Sequence, residues 1–391
     1  MRAKLLDQFV AKNQKFFIQY GGQGVPYLME IAKFKKTEES LKSFFDFTFK
    51  TLKEIENEMG GKSNPLIEQG LDLQSWIENI KSAPPQKYLF RVSISGPMIF
   101  ILQTINYLLF TNRGYPVSET LGVTAGVTGH SQGMLSAILF SLGGEGEQFY
   151  QHYYKLLKYI SYMGYRAQEA YPNFEISPEL VAEFEKAGIS SPSPMAACIG
   201  YRREELMEKV ETFNKERAYS DTNKIYISLY NTYQSMVLSA KPLSLLEFYK
   251  EYQAEMKSKN FQFVFLKTTA PFHSVLLKSG WDKLKLDAEK MGFHYKGSDL
   301  KVPVYSIHGG KNLQTFPVLA EKLFFDMVVN TLYWDNAIKY AFEDSSVEAI
   351  IDFGPGQAIA RSSAELLAKN GAVSKKVLSL ANPTDWKVLF E

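Results

Sequence analysis

The sequence contains a single cysteine, Cys198, among 391 residues. One thiol excludes a disulfide within the chain and suits a reducing compartment. The N-terminal segment MRAKLLDQFVAKNQKFF mixes charged and apolar residues, so it lacks the uninterrupted apolar core of a secretory signal. We therefore expect a cytoplasmic protein.

Blocks of like charge and metal-binding spacings are also missing. Lys and Arg number 44 and Asp and Glu 42, which gives a net charge of +2 and argues against a nucleic-acid partner. The five histidines are scattered, and neither H-x-x-x-H nor C-x-x-C occurs. The glycine-rich GGQG and GPGQA match neither the dinucleotide fingerprint nor the P-loop. The sequence thus predicts no metal site and no cofactor.

The longest apolar run, ISGPMIFILQTINYLLF, is interrupted by Pro97, Gln103 and Asn106. These residues favour a buried helix over a membrane span, so we expect no membrane association. The segment KYLFRVSIS before it is rich in β-branched and aromatic residues and is predicted as a strand.

Residues 122–141, GVTAGVTGHSQGMLSAILFS, carry the strongest catalytic signal. Gly122 to Thr128 is predicted as a short buried strand, and Met134 to Ser141 as a helix packed in the core. Between them G-H-S-Q-G fits the nucleophile elbow, in which a serine sits on a strained turn between strand and helix. A bare G-x-S-x-G often occurs by chance, but this strand–helix context favours Ser131 as a nucleophile.

A serine nucleophile needs a base within hydrogen-bond reach. His273, in TTAPFHSVLL, lies in a loop after a strand, where α/β folds present functional side chains. The alternative is a histidine that caps the following helix. His130 adjoins the serine, but its side chain is expected to leave the turn in another direction. Asp352 is expected only to end the last strand.

Strands and helices alternate along most of the chain, which predicts an α/β fold with a mainly parallel sheet covered on both faces. Residues 195–267 instead show the order βαββαβ, the ferredoxin-like pattern. We therefore expect a large subdomain from residues 1–194 and 268–391, with a ferredoxin-like small subdomain inserted at 195–267.

Several motifs occur in one order along the chain: GGQG (21–24), GHSQG (129–133), GYRAQEAYPN, SPSPM, APFHSVLL, VPVY and IIDFGPG. This set resembles the acyltransferase family that loads carrier proteins in fatty acid and polyketide synthesis. The resemblance covers almost the whole chain and is strongest to the acetyltransferase domain of the fungal-type fatty acid synthase β-subunit. It implies an α/β-hydrolase-like core beside the ferredoxin-like insertion.

The resemblance implies a role for each matching residue. Ser131 would attack an acyl thioester, and His273 would act as the base. The backbone N–H groups of Gln23 and Gln132 would form the oxyanion hole. A backbone carbonyl near Met327, with Asn330 alongside, would orient the histidine. The candidate substrate contacts are Asn231, His130, Met163 and Arg166.

The identity of residue 163 bears on the acyl group. Malonyl-specific relatives carry an arginine that pairs with the malonyl carboxylate, and alignment from Gln168 places Met163 at that position. Arg166 lies one turn further along and is a lesser candidate for binding a carboxylate. The resemblance therefore implies transfer of acetyl or another uncharged acyl group.

Together these features predict an acyl-CoA:acyl-carrier-protein transferase that works through an acyl-serine intermediate. Its partners would be acyl-CoA and the phosphopantetheine arm of a carrier protein. The alternatives are a hydrolase that removes acyl groups from carriers with the same Ser–His pair, a malonyl transferase, and a non-catalytic scaffold. Because the chain ends at Glu391, before the other domains of such a β-subunit, we expect a free-standing or excised transferase.

Overall fold

A computed structural model describes residues 2–24, 26–172 and 176–391. Val25, and Asn173 in the motif GYRAQEAYPN, lie outside the described residues. The strands are β1 Lys15–Tyr20, β2 Thr124–Gly129, β3 Met195–Ile199, β4 Tyr226–Tyr230, β5 Ser235–Ser239, β6 Gln262–Phe265, β7 Leu332–Tyr333, β8 Val347–Asp352 and β9 Lys376–Ser379. The α-helices are α1 Lys4–Ala11, α2 Leu28–Thr37, α3 Lys42–Glu58, α4 Leu73–Glu78, α5 Gln86–Leu89, α6 Val92–Asn112, α7 Val117–Gly122, α8 Gly133–Leu142, α9 Gly146–Ala170, α10 Pro178–Lys186, α11 Arg203–Glu216, α12 Pro242–Ser258, α13 Gly280–Lys290, α14 Leu319–Phe324, α15 Trp334–Glu343, α16 Ala358–Lys369 and α17 Pro383–Phe390.

The larger subdomain is built on a parallel sheet in the order β2-β1-β8-β9. Phe17 of β1 pairs with Gly126 of β2 on one side and Ile350 of β8 on the other, all in the parallel sense. The side chains of β1 are buried almost throughout, as expected for a strand with helices on both faces of its sheet.

Helix α6 corrects one prediction, because the segment KYLFRVSIS forms α5 and the start of α6 rather than a strand. Its β-branched residues favour a strand, but its last four residues, Val92 to Ser95, are all buried at the start of α6, where packing outweighs intrinsic propensity. Helix α6 is long and apolar enough to cross a membrane, yet 94% of its most apolar stretch is buried inside the protein. The prediction of a buried helix is confirmed.

The smaller sheet has the order β6-β3-β5-β4-β7. Its first four strands are antiparallel, and with α11 and α12 they follow the chain order βαββαβ. Strand β7, from the second part of the large subdomain, joins parallel to β4 through Leu229 and Leu332. The predicted fold class, a parallel α/β core with a ferredoxin-like insertion, is confirmed; the limits at 195 and 267 stay a prediction.

Three loops meet at the carboxyl edge of the parallel sheet: residues 21–24 after β1, the turn at 130–132 after β2, and Gly354–Pro355 after β8. Open α/β sheets place their functional groups at this edge. The small sheet lies across it, so the site is formed between the two sheets.

Candidate active site

The turn between β2 and α8 has room only for glycine at positions 129 and 133, two residues before and two residues after Ser131. A Cβ added to Gly129 would lie 1.9 Å from the carbonyl carbon of Gly133, and one added to Gly133 would lie 2.5 Å from the carbonyl oxygen of Gly21. Ser131 itself holds φ at 53°, in the left-handed region that L-residues seldom adopt. This strained turn between strand and helix has the geometry that the sequence predicts for a nucleophile elbow.

The structure brings Ser131 and His273 together. Ser131 Oγ lies 2.8 Å from His273 Nε2, a hydrogen-bond distance, although the residues come from separate parts of the chain. His273 is buried and also has a positive φ, 55°. Its backbone N–H donates to the Val328 carbonyl, which fixes the loop from which the imidazole reaches the serine.

The group that orients His273 is the carbonyl of Asn330, whose oxygen lies 2.8 Å from Nδ1. Met327, the other predicted source of this carbonyl, belongs to a π-helix at Phe325–Val329. The Asn330 N–H bonds to the Phe325 carbonyl and closes that wider turn, so the carbonyl beside the histidine comes three residues later than Met327. Because a carbonyl can only accept, Nδ1 carries the proton and Nε2 is left to accept from the serine.

Burial lowers the pKa of His273 from its ordinary value of 6.5 to about 4. The Asn330 carbonyl acts in the opposite direction, since it stabilises the protonated ring, and the nearby His130 and His308 lower the pKa further. The imidazole is therefore neutral at pH 7, which is the form required of a general base.

His130 turns away from the serine, as the sequence predicts, and contacts the small subdomain. Its Nε2 lies 2.8 Å from Asn231 Oδ1, at the end of β4. Burial lowers the pKa of His130 to about 4, so the neutral ring donates from Nε2 to the amide oxygen. This hydrogen bond ties the elbow to the small sheet across the cleft.

Gln23 and Gln132, the two predicted oxyanion donors, lie in the loops that follow β1 and β2. Among the described residues, no acceptor binds the main-chain N–H of Gln23 or of Gln132. Gln132 precedes α8, so its N–H belongs to the positive end of a helix whose next N–H groups bond to the His130 and Ser131 carbonyls. Such a pair of free donors at a serine elbow can stabilise a developing oxyanion.

A cavity of about 240 Å³ opens onto Ser131 and His273. The loops after β1, β2 and β8 form one side of it, and the small sheet forms the other. Most of the side chains that line it are apolar, with Asn231, Lys267 and Thr268 as polar exceptions on the small-sheet side. The apolar residues are Met195, Ala197, Leu229, Val237, Leu266, Phe272, Pro355, Ala358 and Ile359.

Two predicted substrate contacts are not among the described residues that line this cavity. Met163 is buried in the core on α9, with 3% of its surface exposed. Arg166 is held by Asp287, 2.6 Å from Nε, and by Glu169, 2.8 Å from Nη1. Paired with two carboxylates, Arg166 is not available to bind a substrate carboxylate, and that prediction is wrong.

Asp352 ends β8, as predicted, and takes no part in the Ser–His pair. Its carboxylate accepts from Gln19 and Ser379, and burial raises its pKa to about 6. In the described parts of the chain, no three His, Cys, Asp or Glu side chains converge as a metal site would require.

Sequence reasoning missed the apolar wall of the cavity and the residues that hold its loops. Met195 and Ala197 both line the cavity from β3, and their period-two spacing was available as a signal. Nothing local indicates that Leu229, Val237 and Ile359 meet them there, because that depends on how the two sheets pack.

The chain is similar to a known protein family and to a fungal fatty acid synthase subunit. The family described as starter unit:ACP transacylase in aflatoxin biosynthesis matches residues 18–273, more than half of the chain. The fatty acid synthase subunit beta of Saccharomyces cerevisiae is 27% identical over 368 residues. That match covers 88% of this chain but only 17% of the yeast protein.

Solved structures share the fold. The malonyl CoA-acyl carrier protein transacylase of Clostridium perfringens superposes with a TM-score of 0.63 at 19% identity, over 96% of this chain and 95% of that one. A malonyl-transacylase solved in complex with its type II polyketide acyl-carrier protein gives a TM-score of 0.64 at 15% identity, over 96% and 99% of the two chains. At these identities the likeness establishes the architecture alone.

Proposed function

The chain belongs to the starter unit:ACP transacylase family, and from this premise we propose that it transfers an acyl group from coenzyme A to a carrier protein through an ester on Ser131. The observation that carries the proposal is the 2.8 Å contact between Ser131 Oγ and a neutral His273 Nε2. A serine with a base in reach is the minimum apparatus for acyl transfer.

In the first half-reaction, Ser131 Oγ bonds to the thioester carbonyl carbon while its proton passes to His273 Nε2. The C–S bond then breaks, and the proton moves from Nε2 to the departing CoA sulfur. In the second half, the carrier thiol gives its proton to Nε2 and attacks the ester, and Ser131 recovers that proton. The reaction needs no further cofactor.

The free N–H groups of Gln23 and Gln132 would bind the oxygen that becomes negative in each half-reaction. Loss of one such donor elsewhere lowers kcat by about 10²–10³. A carbonyl partner, Asn330, stabilises a protonated histidine less than a carboxylate would. This suits a thiol leaving group, because thiols ionise readily, as the cysteine pKa of about 8.5 illustrates, and so depart with little help from an acid.

The acyl group is proposed to be uncharged, acetyl or a longer acyl chain. Lys267 is the one cation among the described residues that line the cavity, and its side chain is exposed. Arg166 is neutralised by Asp287 and Glu169. A malonyl carboxylate in this apolar cavity would lack the bidentate partner that burial of its charge requires.

The partner proposed for the second half-reaction is an acyl carrier protein with its phosphopantetheine thiol. Family membership supports it, as does the complex in which a protein of this fold holds a polyketide carrier protein. Apart from Asn231, Lys267 and Thr268, the small-sheet side of the cavity is apolar and offers few groups to hold a water beside the acyl-serine, which favours transfer over hydrolysis.

The test is to supply radiolabelled acetyl-CoA with and without a phosphopantetheinylated carrier protein. Label should move to the carrier faster than free acetate appears. Ser141→Ala, which removes a buried hydroxyl from α8, the helix after the Ser131 turn, should behave as wild type, whereas Ser131→Ala should transfer nothing. Free acetate as the main product would show a hydrolase.

A further inference from the structure

Helix α6 contacts both sides of the proposed oxyanion hole, although it contributes no group to the cavity. Gln103, which is fully buried on α6, donates from Nε2 to the carbonyl of Gly21 at 2.7 Å. The same amide nitrogen reaches the carbonyl of Gly354 at 3.1 Å, and its Oε1 accepts from Ser136 on α8 at 2.6 Å. One side chain thus joins the loop after β1, the loop after β8 and the helix that follows the nucleophile.

A second link lies near the start of the same helix. Ser95, also buried, accepts from Nε2 of Gln23 at 2.8 Å and donates to the Arg91 carbonyl at 3.0 Å. The next residue, Gly96, accepts from Nε2 of Gln132 at 3.4 Å. The side chains of both glutamines that carry the proposed oxyanion donors are therefore anchored to adjacent residues of α6.

We infer that Ser95 and Gln103 are positioning residues that set the separation and direction of the two oxyanion donors. This inference rests on the proposed function. Gln103 fixes the distance from Gly21, two residues before one donor, to α8, which begins directly after the other. Ser95 fixes the side chain of Gln23 and hence the rotation of its peptide group.

The step that depends on this geometry is formation of the tetrahedral intermediate. Ser131 Oγ bonds to the carbonyl carbon, the carbonyl π electrons move onto oxygen, and the serine proton passes to His273 Nε2. Hydrogen bonds to that oxygen strengthen only as it becomes negative, so a misplaced donor slows the reaction without weakening substrate binding. A shift of about 1 Å in a positioning group can cost about 10²-fold in rate.

The experiment compares the variants Gln103→Leu and Ser95→Ala with Thr104→Val. Thr104 is a matched control, because it is buried on α6 and its hydroxyl donates only to the Phe100 carbonyl of the same helix. The rate of Ser131 acylation by acetyl-CoA should fall about 10–100-fold in both test variants, with KM within about threefold of wild type. Thr104→Val should acylate within about threefold of wild type.

A second readout distinguishes positioning from general damage. A trifluoromethyl ketone analogue of acetyl-CoA adds to the serine as a tetrahedral adduct with a negative oxygen, so its affinity should fall by the same factor as the acylation rate. If Gln103→Leu fails to fold, Ser95→Ala carries the test. An acylation rate within threefold of wild type in folded Ser95→Ala, a loss confined to KM, or an equal loss in Thr104→Val would overturn the inference.

Failure of the proposed function would give a different result from failure of the positioning role. In that case wild-type protein itself would take up no acyl group, or Ser131→Ala would be labelled as strongly as wild type. If wild type is labelled normally and the Gln103 and Ser95 variants are acylated at the wild-type rate, only the positioning role is rejected.

Discussion

Ser131 and His273 meet at 2.8 Å, and each is held in the left-handed region of backbone conformation, with φ of 53° and 55°. Residues other than glycine are uncommon in this region, and each such residue costs roughly 1–3 kcal/mol. The fold therefore bears strain at both members of one hydrogen-bonded pair. Strain of this kind gathers where a side chain must be presented in a fixed direction.

The strain at Ser131 predicts how two substitutions differ. Ser131→Gly relieves the positive φ, so it should be more stable than Ser131→Ala by roughly 1 kcal/mol, after allowance for the greater freedom of glycine in the unfolded chain. At Ser141, which lies in regular helix α8, the order should reverse by about the same amount. Urea unfolding of the four variants measures both differences; the same order at the two sites would contradict the strain.

Replacing Gly129, the glycine before the elbow, should cause a large loss of stability. Gly129→Ala places a Cβ 1.9 Å from the Gly133 carbonyl carbon, so β2 and α8 must separate. We expect a loss of at least about 3 kcal/mol, the upper end of the usual cost of overpacking. Gly122→Ala is the control, since its added Cβ meets nothing within 4 Å, and it should be neutral or slightly stabilising. Thermal melts compare the two; a Gly129→Ala protein as stable as Gly122→Ala would disprove this packing.

The low pKa of His273 predicts the acid limit of the reaction. His273 must be neutral to act as the proposed base, so the acylation rate should stay level from pH 8 to near pH 5 and fall with a midpoint near pH 4. Single-turnover acylation after a rapid pH jump measures this before slow unfolding intervenes. A midpoint at the ordinary histidine value of 6.5 would show that the ring is not buried as described.

The lowered pKa values of His130 and His273 also make the stability of the protein depend on pH. His130 and His273 titrate near pH 4 when folded and near 6.5 when unfolded, so below pH 6.5 the unfolded chain binds protons that the folded chain does not. The free energy of unfolding should therefore fall as the pH drops from about 6.5 towards 4, and these residues should contribute no change above that range. His130→Asn should show a shallower fall in urea titrations at several pH values; an unchanged slope would contradict the shift.

Much of the fold could be predicted because its signals are local. The alternation of strand and helix, the βαββαβ order and the glycines around Ser131 all act over a few residues. The start of α6 could not be predicted from local signals. Val92 and Ile94 favour a strand, and the segment is helical only because these residues are buried on every side.

In the site, too, local signals could be predicted and long-range ones could not. The G-x-S-x-G elbow predicted Ser131, and the position of His273 in a loop after a strand predicted the histidine. The carbonyl of Asn330 depends on a π-helical turn that shifts the register, which no pattern in MVVNTLYW indicates. Its position one turn from Met163 predicts that Arg166 can bind a carboxylate, but its partner Asp287 lies far along the chain, on α13. Ion pairs between distant elements are invisible to a reading of nearby residues.

The lining of the cavity predicts selectivity for uncharged acyl groups. Wild-type protein should load acetyl-CoA over malonyl-CoA by about a hundredfold or more in kcat/KM, because the malonyl charge would be buried without a partner. Lys267→Ala should leave this ratio unchanged, since that side chain is exposed. Equal loading of both substrates, or a ratio that depends on Lys267, would favour a malonyl transferase.

The central claim is that Ser131 carries the acyl group, and intact-protein mass spectrometry followed by peptide mapping tests it most directly. Wild-type protein mixed with several acyl-CoAs should gain the mass of one acyl group, on the peptide that contains Ser131, and lose it when a carrier thiol is added. Ser131→Gly, in which the strain is relieved and the hydroxyl removed, should gain none. Acylation of that variant, or an acyl group mapped to another residue of the wild-type protein, would contradict the account.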